Sequence, residues 1–186
     1  MRGRSGLRQL NAVLTILIFV LFFLHGIAGA FRLLDTSVIS PAIFARPLVV
    51  LCAVHALIGI VLTVDTVRAS RDKGRSYVKL NARFWAARVS GLAIAFLIAA
   101  HVIQFMVPTY EGAPRVSYFG PASMASALGL VAAIVVHVVC NVEPLALSLG
   151  ISGRKSHLGV VALALSLVLL FMGFAFICYF ITWSVI

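Results

Sequence analysis

Four histidines lie in four successive apolar stretches of the chain, and they are the residues best suited to chemistry. They are His25, His55, His101 and His137. An imidazole is costly to place in hydrocarbon, so ionisable residues inside a membrane segment are candidates for function. A single one is readily explained as a polar side chain bonded to a neighbouring helix. Four of them suggest two pairs, and paired imidazoles are the axial ligands of a six-coordinate b-type haem iron.

The cysteines offer no competing motif. Cys52, Cys140 and Cys178 each lie in an apolar run, and none belongs to a C-x-x-C sequence. The spacing therefore argues against zinc and thioredoxin-like sites, and the lack of C-x-x-C-H argues against covalent c-type haem attachment. The histidines are also too widely separated for a structural zinc site, whose ligands have short spacings. We expect any haem to be held non-covalently.

The composition is that of an integral membrane protein. Of 186 residues, 62% are hydrophobic and 11% are charged, against about 25% charged in soluble domains. Five stretches are long enough to span about 30 Å of hydrocarbon. We predict a single all-α transmembrane domain over 1–186, with helices near 10–32, 46–68, 85–107, 121–149 and 158–183. Pro144 in the fourth stretch predicts a kink or a run past the membrane surface.

The basic residues predict the orientation. The net charge is +10, but the charges cluster between apolar runs, which positive-inside topology explains better than nucleic-acid binding. Only Arg32, Arg46 and Arg115 would lie on the outer side. We therefore predict a multi-pass protein of the cytoplasmic (inner) membrane with its N-terminus in the cytoplasm. The residues predicted on the inner side are Arg2, Arg4, Arg8, Arg68, Arg71, Lys73, Arg75, Lys79, Arg83, Arg88, Arg154 and Lys155.

The first apolar stretch has an alternative interpretation. A basic start, an apolar run and Ala28-Gly29-Ala30 are similar to a cleaved secretory signal. Cleavage there would remove His25 and leave an odd number of intramembrane histidines. Because the apolar run continues past Ala30, we expect a retained helix.

Depth along the helices pairs two of the histidines. At about 1.5 Å per residue, His25 and His101 each lie about 9 Å below the outer face, a common depth that a shared haem requires. His55 and His137 remain as a deeper pair, and that pairing rests partly on elimination.

Two glycines add to this pattern. Gly29 follows His25 by four residues and Gly59 follows His55 by four, so each glycine shares a helix face with its histidine. A missing side chain at that place would leave room for a flat macrocycle. The alternative is that these small residues mediate ordinary helix packing in the membrane.

Four motifs follow one another along essentially the whole chain. They are Arg8 seventeen residues before His25, His55-Ala-Leu-Ile-Gly59 in the second helix, Arg88-Val-Ser-Gly91 with Arg88 thirteen residues before His101, and His137 followed by an aliphatic stretch, Gly150 and a basic turn. In order and spacing, they resemble the cytochrome b membrane-anchor subunit of succinate dehydrogenases and fumarate reductases, of the five-helix, di-haem type.

The resemblance implies a fold, ligands and partners. Four helices would form a bundle that holds two b haems, with a fifth helix beside it. His25 and His101 would be the axial ligands of the outer haem, and His55 and His137 those of the inner haem. The subunit would relay electrons between a membrane quinone, commonly menaquinone in this type, and a flavoprotein and an iron–sulfur subunit on the cytoplasmic side. Whether the complex forms a higher oligomer stays open.

Three further residues are candidates for these sites. Arg88 is the preferred cation for a haem propionate, with Ser90 as a hydrogen-bond donor near it. Asp35, just past the outer end of the first helix, is a candidate quinone proton site, against the alternative of a solvated loop aspartate.

The sequence leaves other functions open. The chain lacks a dinucleotide fingerprint and an iron–sulfur cysteine set, so we expect electron transfer and no bond chemistry on dicarboxylates. One alternative is a b-type cytochrome that anchors another quinone-linked oxidoreductase. A second is a haem-free transporter or assembly factor, for which the chain offers little because it lacks paired broken helices with internal symmetry.

Overall fold

Five long α-helices make up the described part of the chain. The computed structural model describes residues 2–36, 39–71, 82–106, 119–150 and 155–183, and none of these residues forms a β-strand. Each helix is long and apolar enough to cross a membrane. The predicted all-helical, multi-pass membrane fold with five spans is confirmed. The helices are α1 Arg2–Leu33, α2 Ala42–Arg71, α3 Ala82–Met106, α4 Pro121–Ser148 and α5 Lys155–Trp183.

The helices extend beyond the apolar runs that predict them. α1 has 32 residues and begins at Arg2, because a helical backbone continues through polar residues at a membrane surface. We call the end of the bundle at which α1 begins the inner end. The N-terminal orientation stays a prediction, since the helices alone do not show which end of the bundle faces the cytoplasm. Part of the charge pattern that predicts it lies outside the described residues. Those basic residues are Lys73, Arg75, Lys79, Arg115 and Arg154.

The outer end of α1 is closed by a Schellman arrangement. The amide of Asp35 donates to the carbonyl of Arg32 at 3.1 Å, and the amide of Thr36 donates to that of Phe31 at 2.9 Å. Asp35 has φ 58°, a left-handed conformation that glycine usually occupies. The position of Asp35 is therefore fixed by the way the helix ends.

The helices pack as two pairs and a fifth helix. α3 and α4 share the most extensive contact, followed by α1 and α2, whereas α1 and α4 touch each other only slightly. α5 packs on both α1 and α4. Its buried residues Leu165, Leu169 and Met172 contact aromatic side chains of α1 and aliphatic side chains of α4. α5 therefore closes the side of the bundle between α1 and α4.

Large apolar side chains cover the outside of the helices. Val50, Phe96 and Leu170 are 62%, 71% and 69% exposed, and lie on three different helices. Such a surface suits lipid. Since lipid removes most of the hydrophobic drive for helix association, close packing at small residues and polar contacts must hold the helices together.

Gly26 is one of the small residues that allow close packing. A Cβ atom at this position would overlap the end of the Met172 side chain on α5. We expect Gly26→Leu to displace the end of the buried Met172 side chain and to destabilise the fold by about 1–3 kcal/mol through overpacking. The midpoint of thermal unfolding in detergent micelles measures this effect.

Two further variants test the assignment to this contact. Met172→Ala should restore part of the stability of Gly26→Leu, because it removes the overlapping atoms. Gly6→Leu on α1 should change the midpoint little, since Gly6 is exposed and nothing lies within 4 Å of a Cβ atom there. Equal losses for Gly26→Leu and Gly6→Leu would contradict the contact.

Candidate functional site

The four histidines meet as two pairs in the interior of the bundle. The ring centroids of His25 and His101 are 6.1 Å apart, and this is the outer pair. Those of His55 and His137 are 6.4 Å apart, and this is the inner pair. In both pairs the ring planes are inclined at 83°. The structure thus brings together the predicted partners, while ligation of iron stays a prediction.

The inner pair is held against α3 through His137. Its Nδ1–H donates to the carbonyl of Ala87 at 3.0 Å, and Ser90 Oγ lies 3.3 Å from the same nitrogen. The Ser90 hydroxyl itself donates to the Ala87 carbonyl at 3.2 Å. A proton on Nδ1 leaves the other ring nitrogen, Nε2, with its lone pair available to a ligand.

Gly91 provides the space in which the His137 ring lies. A Cβ atom at Gly91 would be 3.1 Å from Cε1 and 3.3 Å from Nδ1 of the ring. These separations are shorter than ordinary carbon and nitrogen contacts, so a larger residue would displace the imidazole. The imidazole therefore depends on both the carbonyl of Ala87 and the missing side chain at Gly91.

The outer pair is held by the connection between α1 and α2. Nδ1–H of His25 donates to the carbonyl of Pro41 at 3.1 Å. The same carbonyl accepts the amide of Ala45 at 3.1 Å in the first turn of α2. The start of α2 therefore orients His25, and Nε2 of His25 is again the nitrogen left available.

Aromatic side chains surround the other outer histidine. The His101 ring lies 4.7 Å from that of Phe105 and 6.4 Å from that of Phe176 on α5. Phe176 is in turn stacked with Phe119 at 6.3 Å, and Phe119 meets Tyr179 edge-on at 5.2 Å. α5 therefore contributes to the apolar surroundings of the outer pair although it carries no ligand.

Several buried polar atoms lack a hydrogen-bond partner within the described part of the chain. Most buried polar groups in proteins are bonded, so each exception marks a place where a ligand or water would bind. Two of them, on Trp85 and Arg88, lie three residues apart on one face of α3 and on either side of Ala87. The atoms are Asn11 Oδ1, His55 Nδ1, Trp85 Nε1, Arg88 Nε and Gln104 Nε2.

The remaining predicted site residues have distinct surroundings. Arg88 is half-buried, with its guanidinium 4.9 Å from the centre of the Phe84 ring. Nothing lies within 4 Å of a Cβ atom built on Gly59, and at Gly29 the nearest atom is Pro41 Cβ at 4.0 Å. The side chain of Asp35 is exposed beyond the outer end of α1.

Sequence reasoning missed three contributors to the two pairs and one unpartnered donor two residues before Ala87. Ala87 and Pro41 act through backbone carbonyls, which carry no sequence signal. The donor is Trp85 Nε1, and a tryptophan near a span end indicates by itself only a residue of the aromatic belt. Gly91 did have a signal, because it stands in the Arg-Val-Ser-Gly motif, but the motif does not show which ring it faces.

Neither histidine pair has a third metal-binding side chain beside it in the described part of the chain. Within the described ranges, no three side chains of His, Cys, Asp or Glu come together as a metal site. No family model, curated protein or solved structure matches the chain. The side-chain arrangement and the motif resemblance are thus the two sources for a functional assignment.

Gly91 gives a direct test of the inner pair. We expect Gly91→Ala to shift the His137 ring by a few tenths of an ångström from the Ala87 carbonyl. Because replacing a helical glycine by alanine itself stabilises a helix by about 1 kcal/mol, stability is compared with Gly129→Ala, and Gly91→Ala should be the less stable of the two. Nitrogen NMR of labelled histidines should show a change at His137 and none at His25. Gly129→Ala is the matched control on the same α3–α4 interface, since its Cβ atom would be an ordinary 3.8 Å from Leu97. An unchanged His137 signal in Gly91→Ala would contradict the contact.

Proposed function

We propose that the protein is a di-haem cytochrome b membrane anchor of a succinate dehydrogenase or fumarate reductase. It relays electrons between a membrane quinone and the flavoprotein and iron–sulfur subunits. The observation that carries the proposal is the presence of two histidine pairs, each with one ring oriented by a backbone carbonyl. The choice of family comes from the motif resemblance.

The ring separations fit a shared metal. An imidazole nitrogen binds a metal at about 2 Å and lies about 1 Å from its ring centroid, so two rings on opposite sides of one ion have centroids about 6 Å apart. The observed values are 6.1 and 6.4 Å. Edge-to-face ring packing covers the same range, so the distances fit a haem without requiring one.

The hydrogen bonds favour the metal interpretation. A histidine that binds a metal commonly donates its other ring N–H to a carbonyl or carboxylate, which fixes the tautomer and the ring orientation. His25 and His137 both donate from Nδ1 to a carbonyl, and they belong to different pairs. Edge-to-face packing of the rings does not by itself explain why one histidine in each pair donates from Nδ1 to a backbone carbonyl.

The unpartnered donors fit the carboxylates of a haem. Arg88 Nε and Trp85 Nε1 are buried and lack a partner among the described residues, and both lie within two residues of Ala87. An anionic oxygen is the acceptor that such donors favour. Arg8, Arg32 and Arg46, which lie near other helix ends, are exposed, whereas Arg88 is half-buried. Arg88 would therefore hold a propionate of the inner haem, with Trp85 beside it.

The roles of the protein groups follow from their positions. A b-type haem, when bound, supplies a one-electron iron couple. The paired histidines would occupy both axial positions, which favours electron transfer over oxygen chemistry. Phe105 and Phe176 would keep water from the outer pair, and Gly59 would leave space for a ring face. Asp35 would accept or release the quinone proton at its exposed carboxylate.

The two pairs lie at different depths. His137 bonds to Ala87, and His101 follows Ala87 by fourteen positions along α3, which corresponds to about 21 Å at 1.5 Å per residue. Two sites so separated within a hydrocarbon layer of about 30 Å would carry electrons across much of the membrane. This supports a relay between an outer quinone and subunits on the cytoplasmic side.

The haem content tests the proposal. The purified full-length protein should show a b-type reduced-minus-oxidised spectrum with two haems per chain. His101→Ala should remove the outer haem, and His137→Ala the inner haem, each leaving a different single haem. Absence of a b-type signal would refute the proposal. A ratio near one would show that one pair is wrong, and the inner pair would be suspected first.

Purification also distinguishes the proposed complex from another quinone-linked one. Mild solubilisation of native membranes should recover the protein with a flavoprotein and an iron–sulfur subunit that oxidise succinate or reduce fumarate. Recovery with different redox subunits would retain the b-type cytochrome and overturn the choice of family.

Asp35 can be tested without disturbing the end of α1. Asparagine and glycine both adopt the left-handed conformation at low cost, so Asp35→Asn and Asp35→Gly remove only the carboxylate. We expect both variants to slow quinol-driven reduction of the haems by about tenfold or more, with an unchanged thermal midpoint. A wild-type rate in both would assign Asp35 to helix capping alone.

A further inference from the structure

Pro144 interrupts the hydrogen-bond ladder of α4. Proline has no amide hydrogen, so residue 144 cannot donate to the carbonyl four residues earlier, which is that of Cys140. Transmembrane helices tolerate proline where neighbouring groups bond the freed backbone carbonyl. The question for α4 is which group bonds the Cys140 carbonyl.

Arg83 at the start of α3 supplies that bond. Its Nε donates to the Cys140 carbonyl at 3.0 Å. Its Nη2 reaches the carbonyl of Val139 at 3.4 Å, and its Nη1 donates to Glu143 Oε2 at 2.5 Å. Every nitrogen of the guanidinium is therefore directed at α4, within five residues that end just before Pro144.

We infer that Arg83 replaces the backbone hydrogen bond that α4 loses at Pro144, and so acts as a positioning residue for α3 and α4. Arg83 lies one helical turn before Ala87, and Cys140 lies about one turn after His137. The contact is thus adjacent to the bond between His137 and the Ala87 carbonyl. It fixes how α3 and α4 lie against each other where the inner pair forms.

The side-chain chemistry fits this role. A guanidinium presents donors in several fixed directions, whereas a lysine ammonium is a point charge on a flexible chain. The planar guanidinium can bond two carbonyls and a carboxylate in one fixed orientation. Glu143 orients the guanidinium from the same turn of α4. Asn141 also donates to the His137 carbonyl at 2.7 Å, so side chains support the backbone along this whole segment.

The carbonyl bonds matter more than the ion pair. The side chains of Arg83 and Glu143 are 47% and 59% exposed, and ion pairs with that exposure contribute little to stability. We therefore expect Glu143→Gln to have a small effect and Arg83→Met a larger one. The difference between these two effects distinguishes a role of Arg83 in bonding the backbone carbonyl from a role in the ion pair with Glu143.

A double-mutant cycle tests the replacement directly. Pro144→Ala returns an amide hydrogen to the helix, which can bond the Cys140 carbonyl without Arg83. Arg83→Met should lower the thermal midpoint clearly in the chain with Pro144 and much less in Pro144→Ala. Arg71→Met, at the exposed inner end of α2, is the matched control and should show the same small effect in both backgrounds. Additive effects of Arg83→Met and Pro144→Ala would overturn the inference.

Infrared spectroscopy reads the hydrogen bond itself. The chain has three cysteines, so carbonyl-labelled cysteine marks three backbone carbonyls, and Cys140→Ala identifies the band of residue 140. In Arg83→Met this band should move to higher frequency, because the carbonyl loses its hydrogen bond. In the variant that combines Arg83→Met with Pro144→Ala, the band should return to its original frequency. A general loss of stability would not shift one carbonyl band in this manner. A band that does not move in Arg83→Met would overturn the inference.

The outcome does not depend on haem binding. Both measurements can be made on the full chain whether or not haem is present, so a failure of the proposed function leaves them valid. If the Arg83→Met protein does not accumulate in membranes, the same substitution is made together with Pro144→Ala. Accumulation of that double variant supports the inference that Arg83 replaces the backbone hydrogen bond lost at Pro144. Failure to accumulate in both backgrounds would contradict it.

Discussion

Polar groups between the helices of a membrane protein have few hydrogen-bond partners, and contacts between segments of this chain supply several of them. Water is absent from the hydrocarbon region, so a polar group there needs a partner from the protein, and similar contacts continue to the inner end of α3, where Arg83 is partly exposed. The carbonyl of Pro41 bonds His25, the carbonyl of Ala87 bonds His137, and Arg83 bonds the carbonyl freed by Pro144. Each bond joins two segments of the chain. The contacts that satisfy polar groups therefore also decide how the helices lie against one another.

Much of the fold could be predicted because its signals lie within single segments. Apolar runs of sufficient length predict the five helices, which the structure confirms. The partnership of His25 and His101 follows from helix rise alone, since both lie a similar distance from a span end. His55 and His137 needed elimination and the family resemblance, because the sequence alone does not place the limits of the second and fourth spans, the fourth of which contains Pro144.

The surroundings of the rings could not be predicted, since they depend on the rotation of one helix against the next. Ser90 was expected as a donor near Arg88 for a propionate, whereas its hydroxyl lies against the His137 ring and the Ala87 carbonyl. Gly91, not only Gly59, makes room near the inner pair. Arg83 was counted only as a charge on the inner side. Its structural role appears once α3 and α4 are packed together.

The division of the histidines between helix pairs has a consequence for the order of assembly. His25 and His55 lie on α1 and α2, and His101 and His137 lie on α3 and α4, yet each close ring pair takes one member from each hairpin. Neither hairpin can complete a site when it first enters the bilayer. Each ring pair can form only when the second hairpin docks on the first. Docking joins residues far apart in sequence, and contacts of that kind form more slowly than local ones.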